Sequence, residues 1–458
     1  MKKIFVLSVI MLMGVFQSMN SQTLKRSQII PLEYNNIDIF SNADNTYFCV
    51  TKYYGNSNTT DYVTKNGILD KDGKTIIPLQ YNQILRRNEG LFIVGNERNN
   101  QPTMYGVINI YGRTIVPVKH NNIEITDKGE IIMRYETYNN QMNGMYDKNG
   151  KTIIPFNKYT IVSLGNFIYL IDNGKCCLLS ENYRIAVPYG KYNFNNSCAG
   201  TNLISVNSDN NSLFGVIDKK GQLVVPQQYD RIWIDRNDYI IVKKNEKYGL
   251  LNSNGQEILP LIYDKIESGN NNLFIVEKEN LYGVFNAKGE QVLALEYLHA
   301  KLSGNYIVLN KNKKKGVCDS NGTVILPIEY NWASVYTYSN GLTMIEVDGK
   351  ACVIKDSSTI VPLDKYDKIE FDENKIIYVK NRIVNICEEN GTVSKSFSLN
   401  DEIKVIREGL ILTKNNKTLS AYDYNGTFLG VVDYDNIKIL SNRFALVGRN
   451  EKCGIIKY

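Results

Sequence analysis

Histidines, reactive cysteines and paired carboxylates carry most side-chain chemistry in proteins, and this sequence offers little of it in a usable pattern. The 458-residue chain has two histidines, His120 and His299, far apart and outside any H-E-x-x-H, Cys/His or Ser-His-Asp pattern. Metal catalysis and nucleophilic triads are therefore not expected, and no catalytic residue, metal ligand or cofactor is assigned. The eight cysteines include the vicinal pair Cys176-Cys177 but no C-x-x-C. Cys177, Cys318, Cys352 and Cys387 stand where corresponding segments carry Val, Ile, Leu or Phe, so they read as small hydrophobes. An exported chain would permit disulfides without specifying any. Asp70-Lys71-Asp72-Gly73 lacks the third oxygen-bearing position and the distal Glu of a calcium loop, and reads as a hairpin turn. Glycoside hydrolysis needs two carboxylates at a set separation in space, and no pair stands out.

The residues left to carry specificity vary from place to place within a fixed surrounding. They are Asn36, Gln83, Asn122, Arg231, Lys265, His299, Trp332, Lys368 and Asn436. From Arg231 through Lys265, His299 and Trp332 to Lys368 the set is basic and aromatic, which suits an anionic glycan or an acidic protein surface. The plainer reading is a tolerant exposed column. Trp233, three residues after Asp230, is expected to be packed rather than exposed. His120 takes a place that elsewhere holds tyrosine, so it is expected to be structural.

What must position these residues is a repeat. Phe214-Gly-Val-Ile-Asp-Lys-Lys-Gly-Gln-Leu-Val-Val-Pro-Gln-Gln-Tyr-Asp-Arg-Ile returns as Tyr248-Gly-Leu-Leu-Asn-Ser-Asn-Gly-Gln-Glu-Ile-Leu-Pro-Leu-Ile-Tyr-Asp-Lys-Ile, a period of about 34 residues. Nine of the ten prolines fall in one register (Pro31, Pro78, Pro117, Pro155, Pro188, Pro226, Pro260, Pro327, Pro362), and Ala294, Ser396 and Val431 fill the other slots, making twelve units. Tyrosine follows in ten of the twelve, which marks architecture rather than an active site.

Each unit reads as four short strands: an apolar strand such as Tyr239 to Val242, an aromatic-Gly strand such as Tyr248 to Leu251, a strand ending at the proline, and a Tyr-Asp-x-Ile strand leading out. An Asp/Asn-x-x-Gly turn joins the second and third. The glycine of the aromatic-Gly strand (Gly67, Gly106, Gly144, Gly215, Gly249, Gly283, Gly316) is expected where a neighbouring backbone or ring leaves no room for a Cβ. A gap of 47 residues between Pro31 and Pro78 marks an insert around Lys52 to Asp61.

The pattern resembles the WG-repeat family, named for a Trp-Gly pair that opens the second strand. Here Tyr105, Phe214, Tyr248 and Tyr282 stand in for the Trp. The resemblance implies a bacterial repeat protein, exported, with no common enzymatic activity.

Gln28 to Tyr34 reads as the end of a unit without its beginning, and Phe444 to Tyr458 as a beginning without its end. Pairing the two completes twelve units, so the fold expected is all-β and propeller-like, a closed or nearly closed ring, with an open β superhelix as the alternative.

Lys2-Lys3 followed by the apolar run Ile4 to Phe16 has the form of a secretory signal peptide, giving residues 1–21 as signal and 22–458 as the repeat domain. The charges, 53 basic against 47 acidic, are interspersed, which is not a nucleic-acid footprint. Lys311 and Lys313 to Lys315 read as a solvated hairpin tip. The sequence thus points to an exported, non-enzymatic scaffold binding a protein or glycan in the periplasm, on the cell surface or outside the cell. The alternative is a carbohydrate-active enzyme with carboxylates at a central opening.

Overall fold

The computed structural model describes residues 28–42, 45–54, 63–86, 90–98, 101–137, 140–195, 201–208, 211–338, 340–372, 374–415, 418–432, 434, 436–439, 444–449 and 452–457. The signal-peptide reading of residues 1–21 lies outside them. Among the described residues no helix is long and apolar enough to cross a membrane.

The strands form twelve four-stranded antiparallel sheets. Eleven take consecutive strands in order, as in Arg231–Ile234, Ile240–Lys244, Lys247–Leu251 and Glu257–Tyr263. The remaining sheet joins the chain ends: Asn436–Ile439, Phe444–Arg449 and Lys452–Lys457 are completed by Gln28–Tyr34, with Ile30 opposite Ile455 and Tyr34 opposite Cys453. These are the blades of a β-propeller, with the terminal edge strands paired to each other. An open superhelix would leave those two edges unpaired.

Two expectations about the strands need correction. Tyr-Asp-x-Ile is not one strand. Tyr263 ends one sheet, Asp264 is the link, and Lys265–Ser268 opens the next. The proline strand does not end at its proline but continues to the tyrosine, as in Leu223–Tyr229 around Pro226. This is tolerated because the strand is an edge strand and bulges at that point: Phe214 faces Tyr229 while Val216 faces Val225, so the proline strand carries two extra residues.

The bulge accounts for the repeated glycine. A Cβ on Gly215 would stand 2.5 Å from the Val225 carbonyl oxygen and 3.0 Å from the Gln227 nitrogen. At Gly144 the obstacle is instead the ring of Phe156, 2.8 Å away. In the Asp-x-x-Gly turns, Asp218 Oδ1 accepts hydrogen bonds from the Lys220 and Gln222 backbone N–H groups, both 2.8 Å, and Gly221 sits at φ +79°. Asp70 makes the same contacts with Asp72 and Lys74, so that carboxylate is engaged by its own turn.

The chain divides into two compact units: the described parts of Met1–Gln80 with Tyr338–Tyr458, and Tyr81–Thr337. In the second, successive sheets bury both faces. Ile232 and Ile234 pack with Leu203, Val216 and Val225 of the preceding sheet, and Leu250 and Leu259 with Ile266, Phe274 and Val276 of the next. Each such side chain contributes about 1.5–3 kcal/mol by leaving water. In the first unit, Ile30, Tyr34 and Ile455 share a core with Phe48, Val50 and Phe444. The insert lengthens the hairpin Asn45–Tyr54/Val63–Asp70, whose last pair is Tyr54 with Val63, and residues 55–62 of it lie outside the described set.

Candidate binding surface

Each variable residue of the predicted column lies at or just before the start of a sheet's first strand, beside the link from the preceding sheet. The link is fixed by its Asp or Asn: Asp230 Oδ2 accepts from Asn245 N–H at 2.8 Å, Asp264 Oδ2 from Glu279 N–H at 2.7 Å, and Asn35 Oδ1 from Tyr53 N–H at 3.0 Å. These carboxylates and amides hold the hairpin between the second and third strands of their own sheet. The variable residue that follows is therefore held at a fixed place.

In the unit Tyr81–Thr337, Asn122, Arg231, Lys265, His299 and Trp332 are exposed and Gln83 is half-buried. Trp332 precedes its strand, Ala333–Thr337, and His299 leans on Tyr282 with ring centroids 5.5 Å apart. In the other unit Asn36 is exposed, Lys368 is half-buried, and Asn436 opens its strand. The charge of the basic and aromatic stretch depends on what lies two residues on. Lys265 is ion-paired to Glu267, and Lys368 to Glu370 at 3.3 Å, with the Lys368 ammonium also donating to the Lys404 carbonyl. In a strand, residues two apart share a face, so these lysines are neutralised locally. Arg231 has Trp233 at that position instead.

Trp233 corrects an expectation. It is 38% exposed and stacks on Tyr248 at 5.7 Å with the rings 19° from parallel. The alternation Arg231-Ile232-Trp233-Ile234 carried this signal, since the two isoleucines are buried and the other two must face the opposite way.

The sheet ends opposite this surface, where first and second strands join, are tied together. Asn202 donates to the Asp238 carboxylate from its backbone and side-chain nitrogens at 2.8 and 2.9 Å, Asn237 to Asn272 at 2.9 Å, and Asn271 to Asn305 at 2.6 Å. These are roughly one repeat apart and connect successive sheets.

A further contact was not anticipated. Glu130, buried, accepts from Tyr183 at 2.8 Å and from the Thr126 hydroxyl, in a cleft also lined by Lys128, Asn166, Ser180 and Lys219. Burial, with Glu130 beside it, pushes the Tyr183 phenol up to about 12. Asp372, also buried, accepts in the same way from Tyr424 and from Gly409 N–H in the other unit. In both, a carboxylate in the first hairpin of one sheet holds a tyrosine in the last turn of the next. Recurrence across unrelated surroundings marks it as an inter-sheet clasp.

His120 is buried in the tyrosine slot and stacked on Phe156 at 5.6 Å, and burial lowers its imidazole to about 4. This is the structural substitute expected. The seven described cysteines are free thiols. Burial pushes Cys318 up to about 12 and Cys352 to about 11, which leaves them protonated, as small hydrophobes. Lys313 occupies a hairpin tip at φ +62°, with Lys311 paired to Glu296 at 2.9 Å and Lys314 donating to Asn331 at 2.7 Å.

No protein of curated function matches the chain. Among solved structures, the extracellular domains of two proteins described as hybrid two component systems of B. thetaiotaomicron align over 94% of this chain and 83% of theirs, at 10% and 9% identity and TM-scores of 0.20 and 0.19. A Pyrococcus horikoshii acylaminoacyl peptidase aligns over 65% of this chain and 58% of its own at 9% identity and a TM-score of 0.25. Likeness at these scores carries no argument about this chain. The sequence of the repeat itself is more telling: the WG containing repeat matches residues 67–97, 214–248, 248–282 and 316–350, each running from the repeated glycine or the aromatic before it, through the turn and the proline strand, into the first two strands of the next sheet. The chain thus carries the WG containing repeat at four places, and the four-stranded sheet in which those segments lie is built twelve times.

Proposed function

We propose that the protein is an exported, non-enzymatic scaffold that binds an acidic partner, a glycan or a protein, at or outside the bacterial cell envelope. The observation that carries this reading is the split between fixed and variable positions. Tyrosine, glycine, proline and turn residues serve the sheets, while the positions just after the links present different side chains, exposed in Arg231, Lys265, His299 and Trp332, on successive sheets. Several similarly spaced contacts on one frame give avidity without catalysis.

The test is interferometry with the immobilised full chain against acidic and neutral glycans and acidic peptides, with turnover followed in parallel. Binding without turnover, weakened by Arg231→Ala and by Trp332→Ala, is the expected result. Binding indifferent to both substitutions, or glycan cleavage abolished by changing a single Asp or Glu, would overturn it.

A further inference from the structure

The sheet that opens with Arg231 differs from its neighbours in the two properties that make a recognition subsite. The first is uncompensated charge. Arg231 pairs across the strands with Lys243, so two cations stand directly opposite each other on one face, an arrangement that costs stability. Lys243 is taken by Glu246 at 2.6 Å, but Arg231 makes no ion pair among the described residues. Where Lys265 and Lys368 meet a glutamate two residues on, Arg231 meets Trp233.

The second is a flat apolar platform beside that charge. Trp233 is on the same face as Arg231, more than a third exposed, and backed by Tyr248 at 5.7 Å. The Lys243 ammonium lies 5.4 Å from the Tyr248 ring centroid on the same side. The strand that carries the platform is anchored, because Ile232 and Ile234 on either side of Trp233 are buried in the core shared with the preceding sheet.

We propose that Arg231, Trp233, Lys243 and Tyr248 form a subsite for a hexuronate unit of an acidic polysaccharide. The C–H face of a pyranose stacks on an exposed indole, and a carboxylate on the ring's rim takes the planar guanidinium fork of Arg231 in a bidentate pair. An acidic peptide offers the carboxylate but no saturated ring to cover the indole, and a neutral sugar offers the ring but no carboxylate for Arg231, whose facing cation Lys243 is already taken by Glu246. The inference rests on the binding reading above and narrows it to one ligand class on one sheet.

The chain's two tryptophans, Trp233 and Trp332, make the site directly readable. In full-length Trp332→Phe, the remaining indole fluorescence is that of Trp233, and it is titrated with oligogalacturonate, oligoguluronate and hyaluronan oligosaccharides. At least one should give a saturable change, lost on methyl esterification of its carboxylates. Calorimetry on the full chain with that ligand should show affinity lowered about tenfold or more by Arg231→Gln and by Trp233→Leu, with the thermal midpoint of each variant within a few degrees of wild type. No response to any of the three, an equal response to the esterified sugar, or binding unaffected by Arg231→Gln would overturn the subsite. If the full chain still bound some other acidic ligand through Trp332, the scaffold reading would stand while this one fell. Preference for an acidic peptide over every uronate at Trp233 would also overturn it.

Discussion

Gly215→Ala tests whether the repeated glycine exists to admit the proline bulge. The added Cβ would lie 2.5 Å from the Val225 carbonyl oxygen, 3.0 Å from the Gln227 nitrogen and 3.0 Å from the Pro226 carbonyl carbon. All three obstacles are backbone, so relief requires moving the bulge by most of an ångström toward an ordinary carbon–oxygen contact of about 3.3 Å. Overpacking of this kind costs about 1–3 kcal/mol. Alanine also lowers the entropy of the unfolded chain, which offsets roughly 0.4–1 kcal/mol. The net expectation is a destabilisation of about 1–2 kcal/mol. Gly249→Ala is the internal control, since its nearest obstacle is the Leu259 oxygen at 3.1 Å and the next are atoms of the Leu261 side chain, which can turn aside. It should cost less than Gly215→Ala. Urea unfolding of wild type and both variants, followed by far-ultraviolet circular dichroism, measures the order. A neutral or stabilising Gly215→Ala, or a Gly249→Ala that costs more, would refute the bulge argument.

His120 is held neutral by burial, with its imidazole near 4 against an ordinary 6.5. Above 6.5 both folded and unfolded states are neutral; as pH falls from 6.5 towards 4 only the unfolded state gains a proton, so stability is lost, by up to about 3 kcal/mol. His120→Tyr, which restores the usual residue of the slot, should remove that part of the acid sensitivity in unfolding curves at pH 7 and pH 4.5. Equal pH dependence in the two proteins would contradict it. Tyr183→Phe leaves one oxygen of buried Glu130 without its donor and should cost about 1–3 kcal/mol, and a double-mutant cycle with Glu130→Gln should return a coupling of similar sign and size. Asp218→Ala removes the acceptor of two backbone N–H groups in one turn and should cost about 1–2 kcal/mol by the same unfolding assay.

Strand content, the number of units and the meeting of the chain ends were legible because each is a periodic feature, and period is what a sequence displays. The sheet boundary was not, since Tyr-Asp-x-Ile is continuous along the chain while the change of sheet occurs at a single residue, Asp264 in the clearest case, whose side chain bonds forward to Glu279. Pro226 looked like a strand end because a missing N–H usually is one; two extra residues opposite Gly215 let the strand pass through it. The Glu130–Tyr183 and Asp372–Tyr424 clasps join residues 53 and 52 apart, not a multiple of the repeat, and so had no periodic signature. That the variable residues share one place in the repeat was readable, but the pairing of their charges was not. Whether a lysine is neutralised depends on the residue two positions on, and that comparison separates Lys265, beside Glu267, from Arg231, beside Trp233.

The closing sheet depends on the pairing of Gln28–Tyr34 with Lys452–Lys457, strands far apart in the sequence. Hydrogen–deuterium exchange on the full chain and on a chain lacking residues 28–34 measures it directly. The expected result is protected amides in Lys452–Lys457 in the full chain and exchange faster by at least tenfold there after the deletion, as Ile455 and Phe444 lose the cover of Ile30 and Tyr34. Rapid exchange of that strand in the full chain, or rates unchanged by the deletion, would contradict it.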